Sequence, residues 1–435
     1  VTSSSQPRTA LTGTTAAPAS APAAPDAEAA SDVDARLALA LATAPLVAET
    51  DVLVVGAGIV GLAHAVLSRD AGRSVVVVDR DRRAVGASVR NFGHACITAQ
   101  TGELAELADR ARGAWLDVAA RAGVWTIESG AVTVARSETE LAVLRELAER
   151  RRGTGDVEIL DADATAAALG RGDRVGILGG AFLARDLRVD PRTTVAGIAA
   201  WLDSRDDASV AWGTSVLAVE EGRRRRVAVR TNRGTIEADR VFVCVGHDVD
   251  YLFPTIAQAH GLTRCALQMA RSTTATAEPR IRPAVLTATS MLRYDAFVET
   301  PSAAALRAEI AAAAPELLDI GANVMFTQRP DGSFLLGDSH AYDLAHEPFL
   351  DEAVTDRLLA EARAVLGRPG LAVAERWQGV YASSDRGPLL VAEAADGVTI
   401  ASVTAGVGMT VSFGFAARNV EAALGADLAA LSASA

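Results

Sequence analysis

The residues of this chain best suited to chemistry sit at two glycine-rich turns. The first is Gly56-Ala57-Gly58-Ile59-Val60-Gly61, in which the glycine spacing suits a phosphate cradle. The first glycine permits a tight turn, the second lets backbone N–H groups reach a pyrophosphate, and the third lets helix and strand pack closely. Asp79-Arg80 follows close to the ~20-residue spacing at which a carboxylate accepts ribose hydroxyls. The second turn, Gly406-Val407-Gly408-Met409-Thr410, is expected to open the last helix. Uncapped N–H groups there, with the helix dipole, would stabilise negative charge developing on a bound ring. Gly408 and Met409 are therefore candidates for catalysis as well as binding, with Gly406 and Thr410 completing the contact.

Histidine and arginine supply the remaining candidates. His94 and His340 can carry protons near an unperturbed pKa of ~6.5. For His94, orienting a substrate group, accepting a proton from it, linking covalently to a cofactor and serving as a buried structural residue all stay open. Lysine is absent, so all 42 basic residues are arginine. That closes lysine Schiff-base chemistry and Walker-type phosphate loops. An anionic substrate must then be gripped by arginine, whose fork suits the oxygens of an oxyanion. Arg293, Arg271, Arg329 and Arg376 are the candidates, with Arg293 ranked first because Tyr294 adjoins it. Tyr294 and Tyr381 can add hydroxyl contacts.

Those groups need a scaffold. At 435 residues, half of them hydrophobic and 22% charged, the chain can bury a substantial core. Residues 51–55 form an apolar strand, the glycine turn follows, and an alanine- and leucine-rich helix runs to about 71. Residues 74–78 are a second β-branched run. This β–turn–helix–β order opens a Rossmann-type parallel sheet. Short alternating runs at 216–220, 227–231 and 235–238 read as an antiparallel meander. The buried run at 241–246 returns to the parallel sheet, and so does the segment from 397 to 424. Val216 and Gly246, at the ends of these strands, are placed beside the same ligand.

The expected fold class is α/β, a Rossmann-type parallel sheet with an inserted antiparallel-sheet substrate domain. Residues 49–100, 185–262 and 376–428 are assigned to the sheet that binds the cofactor, and 101–184 and 263–375 to the substrate domain. Within these, helices are expected at 115–122, 138–150, 303–314 and 352–366. Strands are expected at 130–135, 324–327 and 333–336. Residues 1–48 are Ala-, Pro- and Ser-rich and read as a disordered extension, with one short lead-in helix at 37–47. The four arginines at 223–226 are read as a solvated hairpin tip rather than a phosphate patch.

The repeated return to one sheet identifies the cofactor. A nicotinamide dehydrogenase normally completes its cofactor domain before its substrate domain begins. Here a second helix terminus arrives late, at 406–410, where it suits the far end of a long dinucleotide. FAD is the expected cofactor.

The net charge of −12 disfavours nucleic acid and anionic membrane as partners. Three cysteines, Cys96, Cys244 and Cys265, are too few and too scattered for a disulfide framework or zinc cluster, so no metal is expected. A flavin link through Cys96 or Cys265 has no support in the sequence. With no apolar run of ~18 residues and no secretory leader pattern, a cytoplasmic location is expected.

The first glycine motif, Asp79, Gly86-Ala87-Ser88, the meander and the late Gly-Val-Gly-Met-Thr together resemble the D-amino-acid oxidase superfamily, which includes glycine and sarcosine oxidases. Ala87-Ser88-Val89-Arg90-Asn91-Phe92-Gly93, Gly337-Asp338-Ser339-His340 and Arg376-Trp377-Gln378-Gly379-Val380-Tyr381 resemble a clade within it proposed to oxidise aminophosphonates. His94 stands where that clade commonly carries methionine. The resemblance places Ser88, Asn91 and Phe92 among the FAD-binding residues. It implies oxidation of a small amine at its C–N bond, with hydride delivered to flavin N5 and the imine hydrolysed. Oxygen or an electron carrier would take the electrons. A glycine-, sarcosine- or D-amino-acid-type oxidase is the alternative, and a non-catalytic FAD-binding assembly factor is a third reading.

Overall fold

A computed structural model of the chain describes residues 49–274 and 280–428. The extension at 1–48 and its lead-in helix lie outside the described residues.

The strand Glu49–Val55 is valine-rich because it is covered on both faces, as central parallel strands are. It pairs in parallel with Val75–Asp79 on one side and Gly234–Val243 on the other. Ala208–Trp212 extends the sheet beyond Val75–Asp79, and Val398–Val403 extends it beyond Gly234–Val243. Antiparallel strands Val216–Glu221, Val227–Thr231 and Leu389–Ala395 complete eight strands. Helices Ile59–Asp70, Gly102–Ala122, Pro191–Asp203 and Gly408–Leu424 cover one face, where Leu62, Trp115, Ile198 and Phe413 share a single core with Val52 and Val54.

The meander is present, but its third strand does not stop. Gly234–Val243 runs unbroken from the antiparallel pairing into the parallel one. The polar pair Asp239-Arg240, which reads as a break in the sequence, stays in the strand, and Asp239 meets Arg225 at 2.6 Å. The arginines at the hairpin turn pair with carboxylates: Arg224 with Glu49, Arg225 with Asp51 and Asp239, and Arg226 with Asp396.

A second, nine-stranded and mostly antiparallel sheet stands beside the first. Its longest pairing joins Leu262–Ser272 to Val373–Ser384. That pairing moves residues 376–384 out of the cofactor-binding segment expected from sequence. The helix Gly102–Ala122 moves the other way, because its apolar stripe buries Leu104, Leu107 and Trp115 in the first core. Both differences have one cause: an amphipathic helix or an alternating strand declares that it has a buried face, not which core receives it. Among the described residues, no helix is long and apolar enough to cross a membrane.

Candidate active site

Two of the three glycines of the first turn are required by a close backbone contact. Gly56 has φ of +104°, and a Cβ there would lie 2.5 Å from the Cys244 carbonyl oxygen. A Cβ on Gly61 would lie 1.9 Å from the Gly56 oxygen, so the helix could not approach the turn. Gly58 faces open space apart from Ser88 Oγ at 3.1 Å. That hydroxyl accepts the Ile59 N–H at 2.9 Å, which places Ser88 on the start of the helix.

Asp79 ends its strand with Oδ2 accepting the Ala57 N–H at 2.7 Å and Oδ1 accepting the Asp81 N–H at 2.9 Å. Burial nevertheless pushes its carboxyl above the usual range. Arg80 bonds Asp248 at 2.6 Å. Asn91 ties its own turn together by donating to the carbonyls of Ala87 and Ser88 and accepting from the Gly93 N–H.

A cleft of about 530 Å³ runs from this turn to the second sheet. Gly56, Gly58, Ile59, Val60, Asp79, Arg80, Ser88, Asn91, Phe92, Val216 and Gly246 all line it, and so do Gly406, Gly408, Met409 and Thr410. Ala57 and Gly61, expected among the binding residues, stand behind the wall and shape it instead. The helix Gly408–Leu424 begins with no side-chain cap, and a Cβ on Gly408 would meet nothing within 4 Å. Neighbours hold that start in place. Thr410 Oγ1 accepts the Cys96 N–H at 3.0 Å, Trp115 Nε1 donates to the Met409 carbonyl at 2.8 Å, and Gly406 (φ +73°) packs against the Tyr381 ring.

His94 lines the cleft. Its Nε2 bonds Asp186 Oδ2 at 2.8 Å, with both side chains essentially inaccessible. Asp186 Oδ1 accepts the N–H groups of Ile97 and Thr98. The pair therefore pins the loop that carries Cys96 beneath the helix start. With Nε2 bonded to Asp186, His94 holds this loop in place, while its buried Nδ1 has no hydrogen-bond partner. Cys96 is also buried, and desolvation pushes its thiol well up.

The far end of the cleft is polar. Arg293 donates to the Tyr381 hydroxyl at 2.6 Å and to the Tyr342 hydroxyl at 3.1 Å. Asp338, Asn323, Met325, Tyr294, His340 and Leu267 complete the lining. The Tyr294 hydroxyl points at Met325 Sδ, 3.5 Å away. His340 gives Nδ1 to the Gly321 carbonyl at 2.9 Å, and burial with the Arg293 charge lowers its pKa to about 3. It is neutral at physiological pH and too weak a base for the proton role expected of it.

Three of the four candidate arginines lie elsewhere. Arg271 pairs with Glu375 at 2.6 Å, Arg329 with Asp190 at 2.9 Å, and Arg376 with Glu352 at 3.1 Å. Each is held by a carboxylate outside the cleft lining. A count of arginines along the chain cannot separate a structural ion pair from a substrate contact. Asn323, Tyr342 and Asp186 went unremarked in the sequence, and Asp338 was named only within the Gly337–His340 motif, with no role of its own. Only Asp338 carried a signal, an acid two residues before the singled-out His340.

The comparisons agree with this architecture. Residues 51–421 match the DAO family model, described as FAD dependent oxidoreductase, and the chain belongs to that family. Among solved structures it is similar to glycine oxidase from Geobacillus kaustophilus, with TM-score 0.70, 15% identity, and coverage of 88% of this chain and 96% of that one. Iminodiacetate oxidase from Chelativorans sp. BNC1 aligns with TM-score 0.67, 17% identity, and 86% and 96% coverage. L-alpha-glycerophosphate oxidase from Mycoplasma pneumoniae, solved with FAD bound, aligns with TM-score 0.65, 17% identity, and 87% and 95% coverage. No curated protein matches the sequence. The residues present fit FAD: a side-chain-free pyrophosphate turn, a half-buried carboxylate at the second strand end and an open helix start beyond them.

Proposed function

We propose that this enzyme oxidises a small amine that also carries an anionic group, with an aminophosphonate or its N-methyl derivative as the leading substrate class. The observation that carries the reading is the Arg293 cluster at the end of the cleft away from the glycine turn. Arg293 donates to the phenol oxygen of Tyr381, which lines the cleft, and to that of the exposed Tyr342, so the Tyr381 hydroxyl keeps its own hydrogen to donate. The guanidinium and the Tyr381 hydroxyl, both in the cleft lining, make a converging set of donors that suits an oxyanion such as a phosphonate.

Bound FAD supplies the hydride acceptor for oxidation of the amine carbon. Gly56, Gly58, Ser88 and Asp79 would hold its nucleotide portion, and Gly406, Gly408, Met409 and Thr410 its ring portion. The N–H groups at the helix start stabilise negative charge placed against them. Arg293 fixes the substrate by its anion and so orients the amine carbon. The imine product hydrolyses to an aldehyde and an amine or ammonia.

A carboxylate-bearing amine such as glycine or sarcosine is the second reading. It is favoured by the presence of one cleft arginine at this end where a dianion would suit two. Anaerobic bleaching of the flavin by aminoethylphosphonate, its N-methyl derivative, glycine, sarcosine and D-alanine decides between them. Fast bleaching by the phosphonates alone supports the first reading. Equal or faster bleaching by sarcosine overturns it.

A further inference from the structure

Two buried acceptor atoms at the Arg293 end of the cleft have no donor. Asp338 is 3% exposed, and its Oδ1 has no hydrogen-bond partner; neither does Oδ1 of Asn323, also 3% exposed. The two residues face each other across a reciprocal backbone pair, Asn323 N–H to the Asp338 carbonyl and Asp338 N–H to the Asn323 carbonyl, each at 2.8 Å. Both line the cleft beside Arg293. Buried acceptors without donors are costly and uncommon. Two that share one cleft suit a ligand group with several N–H bonds, and an ammonium offers up to three.

We infer that Asp338 Oδ1 and Asn323 Oδ1 receive the substrate's amine nitrogen, and that Asp338 takes a proton from it. This rests on the proposed reading that Arg293 holds the substrate's anionic group. In the step, one N–H bond of the ammonium breaks and its hydrogen passes to Asp338 Oδ1. The electron pair stays on nitrogen, and the neutral amine so formed is the species able to lose hydride from its carbon.

The groups around Asp338 permit that step. Burial pushes its carboxyl up, while the Arg293 charge and hydrogen bonding from its own backbone and the Asn323 side chain pull it down, leaving it at about 7. His340 Nδ1 lies 4.0 Å away, and that ring is neutral above about 3. Cys265, on the neighbouring Leu262–Ser272 strand, is pushed up to about 11, and the Tyr294 phenol lies well above its ordinary value. Arg293 stays charged throughout, since its pKa is raised further. Of these groups, Asp338 is the one that changes charge near neutrality.

The test uses FAD-loaded enzyme and ligands that cannot be oxidised because the amine carbon bears no hydrogen. 2-Amino-2-methylpropylphosphonate is compared with its amine-free counterpart, and α-aminoisobutyrate with isobutyrate. Affinities come from titration calorimetry in buffers of different ionisation enthalpy. Asp338→Asn should weaken the amine-bearing member of a pair by ~10- to 100-fold and leave the amine-free member within about twofold. The proton released when wild type binds the amine ligand near pH 7 should disappear in the variant.

Wild type alone gives an independent check. The affinity ratio of amine-bearing to amine-free ligand should fall as pH drops below about 7, because protonated Asp338 no longer attracts an ammonium. Equal losses for both members, or a pH-independent ratio, overturn the role of Asp338 while leaving the anion site standing. Binding of the carboxylate pair alone overturns the phosphonate reading, and Asp338 is then decided on that pair. If wild type binds none of the four ligands, both readings fall.

Discussion

Replacing Arg293 by methionine separates the anion site from the rest of the cleft. The guanidinium makes two hydrogen bonds to neutral phenol oxygens, and methionine fills a comparable volume without a charge. Both phenols can turn to other acceptors, so the loss falls mainly on one charge-assisted contact to the substrate. Such a contact is worth ~1.5–3 kcal/mol, which is roughly 10- to 150-fold in substrate affinity. The factor grows towards a thousandfold where the substrate anion is left without a partner. Tyr381→Phe removes one neutral donor and should cost only ~2- to 10-fold. Arg271, Arg329 and Arg376, each occupied by a carboxylate, serve as controls. Their methionine variants should keep KM within about twofold. The assay is steady-state kinetics on the five variants, with flavin released and quantified for each. FAD content should be unchanged at Arg293, since the glycine turn lies at the other end of the cleft. Wild-type KM in Arg293→Met, or an equal rise in the Arg271 or Arg376 variant, refutes the placement of the anion.

The glycines should respond unequally. Gly56→Ala and Gly61→Ala, whose Cβ atoms would lie 2.5 and 1.9 Å from carbonyl oxygens, should lose FAD and lower Tm. Gly58→Ala meets only the Ser88 hydroxyl and should retain FAD, whereas Gly58→Glu should abolish binding by placing a charge in the pyrophosphate path; full FAD occupancy in the glutamate variant contradicts this placement. Asp186→Ala should weaken flavin retention and lower Tm together, since it frees His94 and two backbone N–H groups at once; a fall in turnover with neither change would make His94 catalytic after all. Glu140 is buried, and desolvation raises its carboxyl to about 7 from the ordinary glutamate value of 4.5, so the unfolded state loses its proton first. Its contribution is fully present below about pH 4.5 and is lost as pH rises through about 7. Glu140→Gln should therefore raise Tm at pH 8 relative to wild type and show no gain at pH 4, as measured by thermal denaturation across that range.

The cofactor half of the site was legible because its chemistry is local. Gly56, Gly58, Gly61 and Asp79 fall within one β–turn–helix–β unit, where each residue's job follows from its place in the turn. The second helix start at 406–410 was also readable, since a glycine pair before a long apolar helix marks an open N-terminus wherever it packs. The substrate half is built otherwise. Arg293, Asp338, Asn323, Tyr342 and Tyr381 come from separate stretches of the chain and meet only through the pairing of the second sheet. Nothing in the sequence around Arg271 or Arg376 reveals that Glu375 and Glu352 will claim them. The role of His94 was left open for a related reason. Its partner Asp186 lies 92 residues away, so a histidine that anchors a loop looked the same as one that handles protons.

The absence of lysine sharpens how the substrate end must work. Every side-chain cation here is an arginine, which keeps its charge at any pH a protein tolerates. Arg293 can therefore fix an anion permanently but cannot move a proton. The helix start at Gly408 behaves alike, because backbone dipoles do not titrate. His340, pushed down to about 3, and Cys265, pushed up to about 11, are silent near neutrality. A site with fixed positive charge at both ends still has to discharge an ammonium before hydride can leave its carbon. That requirement falls on a carboxylate close enough to Arg293 to stay partly ionised and buried enough to accept a proton near neutral pH. Asp338 meets both conditions through the same two neighbours, the guanidinium and the desolvating wall. Removing Arg293 should therefore also move the pH dependence of flavin reduction upward, coupling the anion site to the proton acceptor.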